Sequence, residues 1–107
     1  MAALDEIELA IFTKNDYYPD RDLYDDLEII VQANLQRVFF YLRNGMAPPL
    51  DMANRALRFA RELAGRFSQE EAARLLATAY QAHGLSLLAS GAEAAALRSF
   101  SKARAKP

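Results

Sequence analysis

His83 is the single imidazole of this chain, and there is no cysteine. A histidine acting as general base needs an orienting carboxylate and a reactive group within hydrogen-bond reach. The stripe on which it lies, Leu76, Tyr80, His83 and Leu87, supplies neither. The residue reads as a buried or rim histidine hydrogen-bonded to a neighbour, or as a pH sensor, since imidazole titrates near neutrality. The absence of cysteine excludes disulfides, cysteine-ligated zinc, iron–sulfur clusters and thiol catalysis. One histidine excludes any metal site or catalytic pair that needs two from the same chain. Asp16, Asp20, Asp22, Asp25 and Asp26 form a dense acidic cluster. A calcium loop needs oxygen ligands at alternating positions and a glycine at the sharp turn. That glycine is missing and Pro19 interrupts the stretch, so the cluster reads as a solvated loop and helix start. There is no phosphate-binding glycine loop, nucleophile elbow or helical metal pair. No catalytic, cofactor-binding or metal-ligating residue is assigned, no cofactor is expected, and an enzyme is not expected.

Contact chemistry is better represented. Arg55, Arg58, Arg61 and Arg66 recur along one predicted helix, with neither an aromatic stacking platform nor a glycine-rich loop beside them. Direct nucleic-acid binding is therefore not expected, and acidic groups on a protein partner are the natural counterpart. Tyr17 and Tyr18 fall in a predicted loop, which makes them candidates for a surface contact. Tyr24, Phe39, Phe40 and Tyr41 are explained mostly by core packing. Asn34 sits inside the most apolar stretch, between Val31 and Val38. It is either buried, where its amide must be satisfied and can fix register, or turned to solvent.

The chain of 107 residues suits one domain over 1–107, with 52% apolar and 25% charged residues, the balance of a globular protein. Its formal net charge of -1 conceals a division. Residues 1–53 carry ten acids against four bases, and residues 54–107 carry four acids against nine bases. Such an asymmetry points either to oppositely charged helices packed side by side or to a head-to-tail contact between copies. No apolar run approaches the roughly 20 residues of a membrane span, and the acidic N-terminus lacks the basic start of a signal peptide. No membrane association is expected, and the expected location is cytoplasmic.

The elements that position these residues are helices. Apolar residues recur at three- and four-residue spacing, and nothing alternates with period two. The spacing predicts a helix over about 2–14, with Leu4, Ile7, Ile11 and Phe12 on its stripe, ending in a polar turn at Pro19. A second starts near Asp22 as N-cap. It runs through Leu23, Leu27, Ile30, Val31, Leu35, Val38, Phe39 and Leu42, and stops at Asn44-Gly45 before Pro48 and Pro49. Its wide apolar face predicts the most buried element. A third begins after Leu50 with Asp51 as cap, burying Met52, Ala56, Leu57, Ala60, Leu63 and Ala64 and turning its arginines outward. The spacing of Ser68 and Glu71 predicts a capping box that opens a fourth helix, carrying Ala72, Leu75, Leu76, Ala79, Tyr80 and His83 and bending at Gly84. An alanine-rich fifth covers about 92–105. Short connections make consecutive helices antiparallel neighbours. The predicted fold class is all-α, a compact antiparallel bundle of four to five helices.

Two resemblances follow from the order of these features. Ile30-Val31-Gln32-Ala33-Asn34-Leu35, Tyr41-Leu42-Arg43-Asn44-Gly45, Ala60-Arg61-Glu62-Leu63-Ala64 and Leu75-Leu76-Ala77-Thr78-Ala79-Tyr80 before Gly84 occur in sequence. From Tyr18 to about Leu88 the chain thereby resembles the helical N-terminal input module of bacterial regulators of the purine-catabolism-regulator and sugar-diacid-regulator type. That module is related to the N-terminal module of RsbR/RsbD-type co-antagonists. Those regulators continue into a helix-turn-helix that is not present before Pro107, so the resemblance implies an isolated module or stand-alone relative, a regulatory domain without the DNA-reading part. Over 77–107, Tyr80, Gly84, Leu87, Gly91, Ala96, Leu97, Phe100, Lys102 and Ala103 fall at the intervals of one tetratricopeptide repeat. That resemblance implies an adaptor or chaperone gripping a partner segment, although stacked repeats usually need about three copies and no second copy is found at a 34-residue offset.

The expected function is a non-enzymatic regulatory or signalling domain acting through protein–protein contacts. The alternative is a small tetratricopeptide-like adaptor. The expected partner is a protein or a second copy in a homodimer. The expected contact residues are Arg55, Arg58, Arg61, Tyr17, Tyr18, Tyr80 and Phe100, with a salt-sensitive interaction.

Overall fold

The computed structural model describes residues 20–104. The predicted helix over 2–14, the turn before Pro19, and Asp16, Tyr17 and Tyr18 lie outside them. Four helices account for most of the described chain: α1 (Asp20–Arg43), α2 (Leu50–Arg66), α3 (Glu70–Ala89) and α4 (Glu93–Arg104). There is no strand among the described residues. The fold is an all-α bundle of four helices.

α1 is helical because Leu23, Leu27, Ile30, Val31, Leu35 and Val38 return to one side every three or four residues, and all are buried. Its 24 residues span about 36 Å. Its end is built as the Asn44-Gly45 signal requires. Gly45 takes a φ of 69°, where a side chain would be strained. Its N–H donates to the Leu42 carbonyl (3.1 Å) and that of Met46 donates to the Tyr41 carbonyl (2.9 Å). This pair of bonds defines a Schellman ending. α3 ends in the same way, with Gly91 at φ 86° and bonds from Gly91 to Leu88 and from Ala92 to Leu87.

Three helix starts differ from expectation. α2 is capped by Pro49 rather than Asp51. A proline there fixes φ and gives up no helical hydrogen bond, which leaves Asp51 in the first turn, 3.5 Å from Arg55. The N-cap of α3 is Gln69, with no side-chain capping bond. Ser68 is one residue too early to serve, so the capping box does not form. Glu70 and Glu71 instead face the positive end of the helix and both pair with Arg74. α1 likewise starts at Asp20, two residues before Asp22.

The core is shared by α1, α2 and α3. α2 contributes Ala53, Ala56, Leu57, Phe59, Ala60 and Leu63, and α3 contributes Ala72, Leu75, Ala79 and Ala82. α2 is therefore as deeply buried as α1, whose Phe39 and Leu42 are only partly covered. Tyr24 closes one end, edge-on to Phe67 with ring centroids 5.1 Å apart. Partial burial, followed by the nearby charges of Glu28, Glu71 and Asp25, raises its phenol pKa.

Among the described helices, α4 packs on α3 and on no other. Gly84, Ser86, Ala96 and Ser99 are buried along that contact. Small side chains let the two axes approach closely, and Gly84 serves this contact. α3 runs through that contact as one helix from Glu70 to Ala89.

Between the described helices, no ion pair joins the opposed charges of the two halves; Arg55 with Asp51 joins them only within α2. Every ion pair between described residues links positions three or four apart within one helix: Arg55 with Asp51, Arg66 with Glu62, and Arg74 with Glu70 and Glu71. None of the described helices is long and apolar enough to cross a membrane.

Candidate functional site

The arginines of α2 have different partners. Arg55, Arg58 and Arg61 follow one another at three-residue steps, each neighbouring the next on the helix surface. Arg55 reaches Asp51, Arg58 lies 4.9 Å above the ring of Phe59, and Arg66 binds Glu62. Arg61 reaches across to α3. Its Nε donates to the Tyr80 hydroxyl at 3.0 Å, and its guanidinium carbon stands 5.4 Å from the Tyr80 ring centroid. Lys102 approaches the same ring from α4, with Nζ 5.8 Å from the centroid. Tyr80 thus holds two cations by the attraction of its negative π face.

These three residues border a cleft of about 670 Å³ between α2 and α3. Ala64, Phe67, Ala73, Leu76 and Ala77 give it an apolar floor, and Ser68 and Gln69 stand at its polar end. Such a cleft offers apolar surface beside two positive charges that are not spent on a carboxylate. It is shaped for a ligand that is apolar along one side and acidic along the other. Phe100, the other predicted contact residue of the last helices, is half-buried and lies over Gly84, on the edge of a second groove lined by Leu97 and Ala77.

His83 is a rim histidine with two partners. Nδ1 lies 2.7 Å from the Ser99 hydroxyl and Nε2 lies 3.0 Å from Asn54 Oδ1. An amide oxygen only accepts, so Nε2 carries the proton and Nδ1 accepts from Ser99. Through these two contacts the imidazole ties α2, α3 and α4 together. The string Ser99–His83–Asn54 contains the residue types of a nucleophilic site, but Ser99 is 5% exposed and its hydroxyl is not presented to a substrate. Neither Asn54 nor Ser99 was marked by the sequence, because separations of 29 and 16 residues leave no local spacing to read.

Burial lowers the pKa of His83 below its ordinary value of 6.5, and the charges of Arg61 and Lys102 act in the same direction. The unfolded chain therefore takes up a proton near pH 6.5 that the folded chain accepts only at lower pH. Stability is full above pH 6.5 and falls as the pH drops below it. Urea midpoints measured between pH 7.5 and about 5.5 are expected to decline for the wild type and to decline less for His83→Gln, which keeps a polar side chain without the charge. Parallel profiles would remove His83 from the effect.

No group of three or more histidine, aspartate or glutamate side chains among the described residues is arranged to hold a metal ion. Comparison of the chain with family models, curated proteins and solved structures returns no match.

Proposed function

We propose that this chain is a non-enzymatic regulatory domain that works by gripping a partner protein, with the α2–α3 cleft as its contact site. The observation that carries this reading is the convergence of Arg61 and Lys102 on Tyr80 beside an apolar floor. The segment that fits is an acidic, amphipathic stretch of the partner. Its apolar side lies along Phe67 and Leu76, and its carboxylates meet Arg61 and Lys102. The burial of Ser99, the hydroxyl beside His83, supports a contact role over a catalytic one. The resemblance to regulator input modules agrees with this reading, since the quoted residues of α2 and α3 include Arg61 and Tyr80.

The second reading, a tetratricopeptide-like adaptor, is favoured by one observation. The α3–α4 pair is a helical hairpin closed by small residues, with Phe100 seated against Gly84. In that case the partner lies in the groove between the last two helices.

The two readings separate in one experiment. Wild-type protein and the double variant Arg61→Glu, Lys102→Glu are immobilised and exposed to lysate of the native host. The cleft reading expects a protein that the wild type retains, that elutes as salt is raised, and that is missing from the variant. A protein retained equally by both, and lost on Leu97→Glu instead, would transfer the site to the last two helices. Identical retention by all three would overturn both.

A further inference from the structure

We propose that copies of this chain join head to tail, the acidic outer face of α1 on one copy docking into the α3–α4 groove of the next. This contact uses a different groove from the cleft assigned to the partner protein, the two meeting at Ala77 of α3. Four observations converge on it. First, Ile29 is 50% exposed on α1 and Leu97 is 66% exposed on α4, so each helix presents a large apolar side chain with no cover. Second, α4 borders a groove of about 520 Å³ lined by Ala77, Thr78, Gln81, Leu97, Phe100 and Arg104, wide enough to receive a branched side chain. Third, the charges flanking these two features are opposite and unspent. Asp25 and Asp26 stand one turn before Ile29 and share its side of the helix, while Arg98 and Arg104 flank Leu97. None of these four is in an ion pair among the described residues. Fourth, α1 and α4 share no contact, so the chain cannot satisfy its own faces by pairing them with each other.

The fit follows from these positions. Ile29 enters the groove against Leu97 and Phe100, where its burial supplies the apolar gain. Asp25 and Asp26 then meet Arg98 and Arg104, which fix the direction of approach. The two faces differ in chemistry, so the contact is heterologous, and each added copy offers the same free groove to the next. The expected product grows with concentration and does not stop at a twofold dimer. A second copy is the occupant that the page supports, because the matching acids and bases are carried by the same sequence.

The test uses the full chain in sedimentation velocity across a concentration series at low and high salt. The wild type is expected to exceed the mass of two copies as concentration rises, and salt is expected to lower that mass. The double variants Asp25→Lys, Asp26→Lys and Arg98→Glu, Arg104→Glu are each expected to stay monomeric, because each carries two faces of like charge. An equimolar mixture of the two is expected to recover association, since reversed α1 meets reversed α4. Ile29→Ala, with charges intact, is expected to weaken association by about tenfold or more. Circular dichroism of each variant establishes that the helices persist. A monomer at every concentration, a dimer that never grows, or a mixture that fails to recover while both variants are folded would each overturn the proposal.

Discussion

Phe59→Ala is expected to destabilise the fold by about 3–5 kcal/mol, read as a large drop in the urea midpoint at unchanged slope. Phe59 is 2% exposed and is the largest of the fully buried side chains. It sits on α2, which packs against both α1 and α3, so a void there is lined by groups from the whole core. Truncation removes the buried ring, leaves a cavity that rigid helices cannot close, and takes away the surface beneath the Arg58 guanidinium. A domain of this size is stable by about 5–15 kcal/mol, so the variant approaches the point where unfolded chains are populated at room temperature. Phe59→Leu fills most of the space and is expected to lose about half as much or less. The exposed change Arg98→Ala is expected to stay within about 0.5 kcal/mol. A loss below about 1 kcal/mol for Phe59→Ala would show that the site collapses around the missing ring.

The α2 stripe read from spacing holds Ala56, Leu57, Ala60 and Leu63, and all four are buried. Phe59 is absent from that reading although it stands three residues after Ala56 and four before Leu63, on the same side of the helix, and it is buried with them. Arg58 and Arg61 beside it mark the stretch as outward-facing and obscure it. What periodicity does not carry is how many neighbours α2 has, and it packs on both α1 and α3. The helix ends were legible where one residue type does one job, as Gly45 and Gly91 do at positive φ. The helix starts were legible only to within two residues, because Asp51 and Ser68 were competing with backbone geometry set by Pro49 and by an extended Gln69.

The same division runs through the candidate site. Asn34, open between core and solvent in the sequence, is fully buried and donates from Nδ2 to the Ile30 carbonyl at 2.9 Å. A local bond to its own helix was available whichever way the helix turned. The arginine row was visible, but only the fold singles out Arg61, because Tyr80 stands 19 positions away on a helix whose rotation follows from the core. Lys102, the second cation on that ring, belongs to α4 and was marked only through the resemblance to a tetratricopeptide repeat. The division of charge was plain in the sequence. That it is met by no ion pair between described helices is a property of where α1 and α4 lie.

Gly84→Leu is expected to release α4 from the bundle, at a cost of about 1–3 kcal/mol from overpacking or somewhat more. The reason is a distance. A Cβ built on Gly84 would stand 2.7 Å from Cε1 and 2.8 Å from Cδ1 of Phe100, inside van der Waals contact before any further atom is added. Since α4 packs on α3 alone among the described helices, displacing Phe100 loosens its hold on the bundle, while α1, α2 and the first turns of α3 keep their own core. Hydrogen exchange is therefore expected to quicken over 93–104 and to stay slow in the core of α2. Gly84→Ala isolates the contact. In the wild-type background its methyl group meets the Phe100 ring and is expected to destabilise. In a Phe100→Ala background the ring is absent and the substitution gains the helix propensity of alanine over glycine, about 1 kcal/mol. The sign of the effect thus reverses between backgrounds, a coupling that a double-mutant cycle measures directly. Equal effects of Gly84→Ala with and without the ring would mean that α4 does not sit against Gly84. The groove between α3 and α4, and any contact that uses it, would then have to be redrawn.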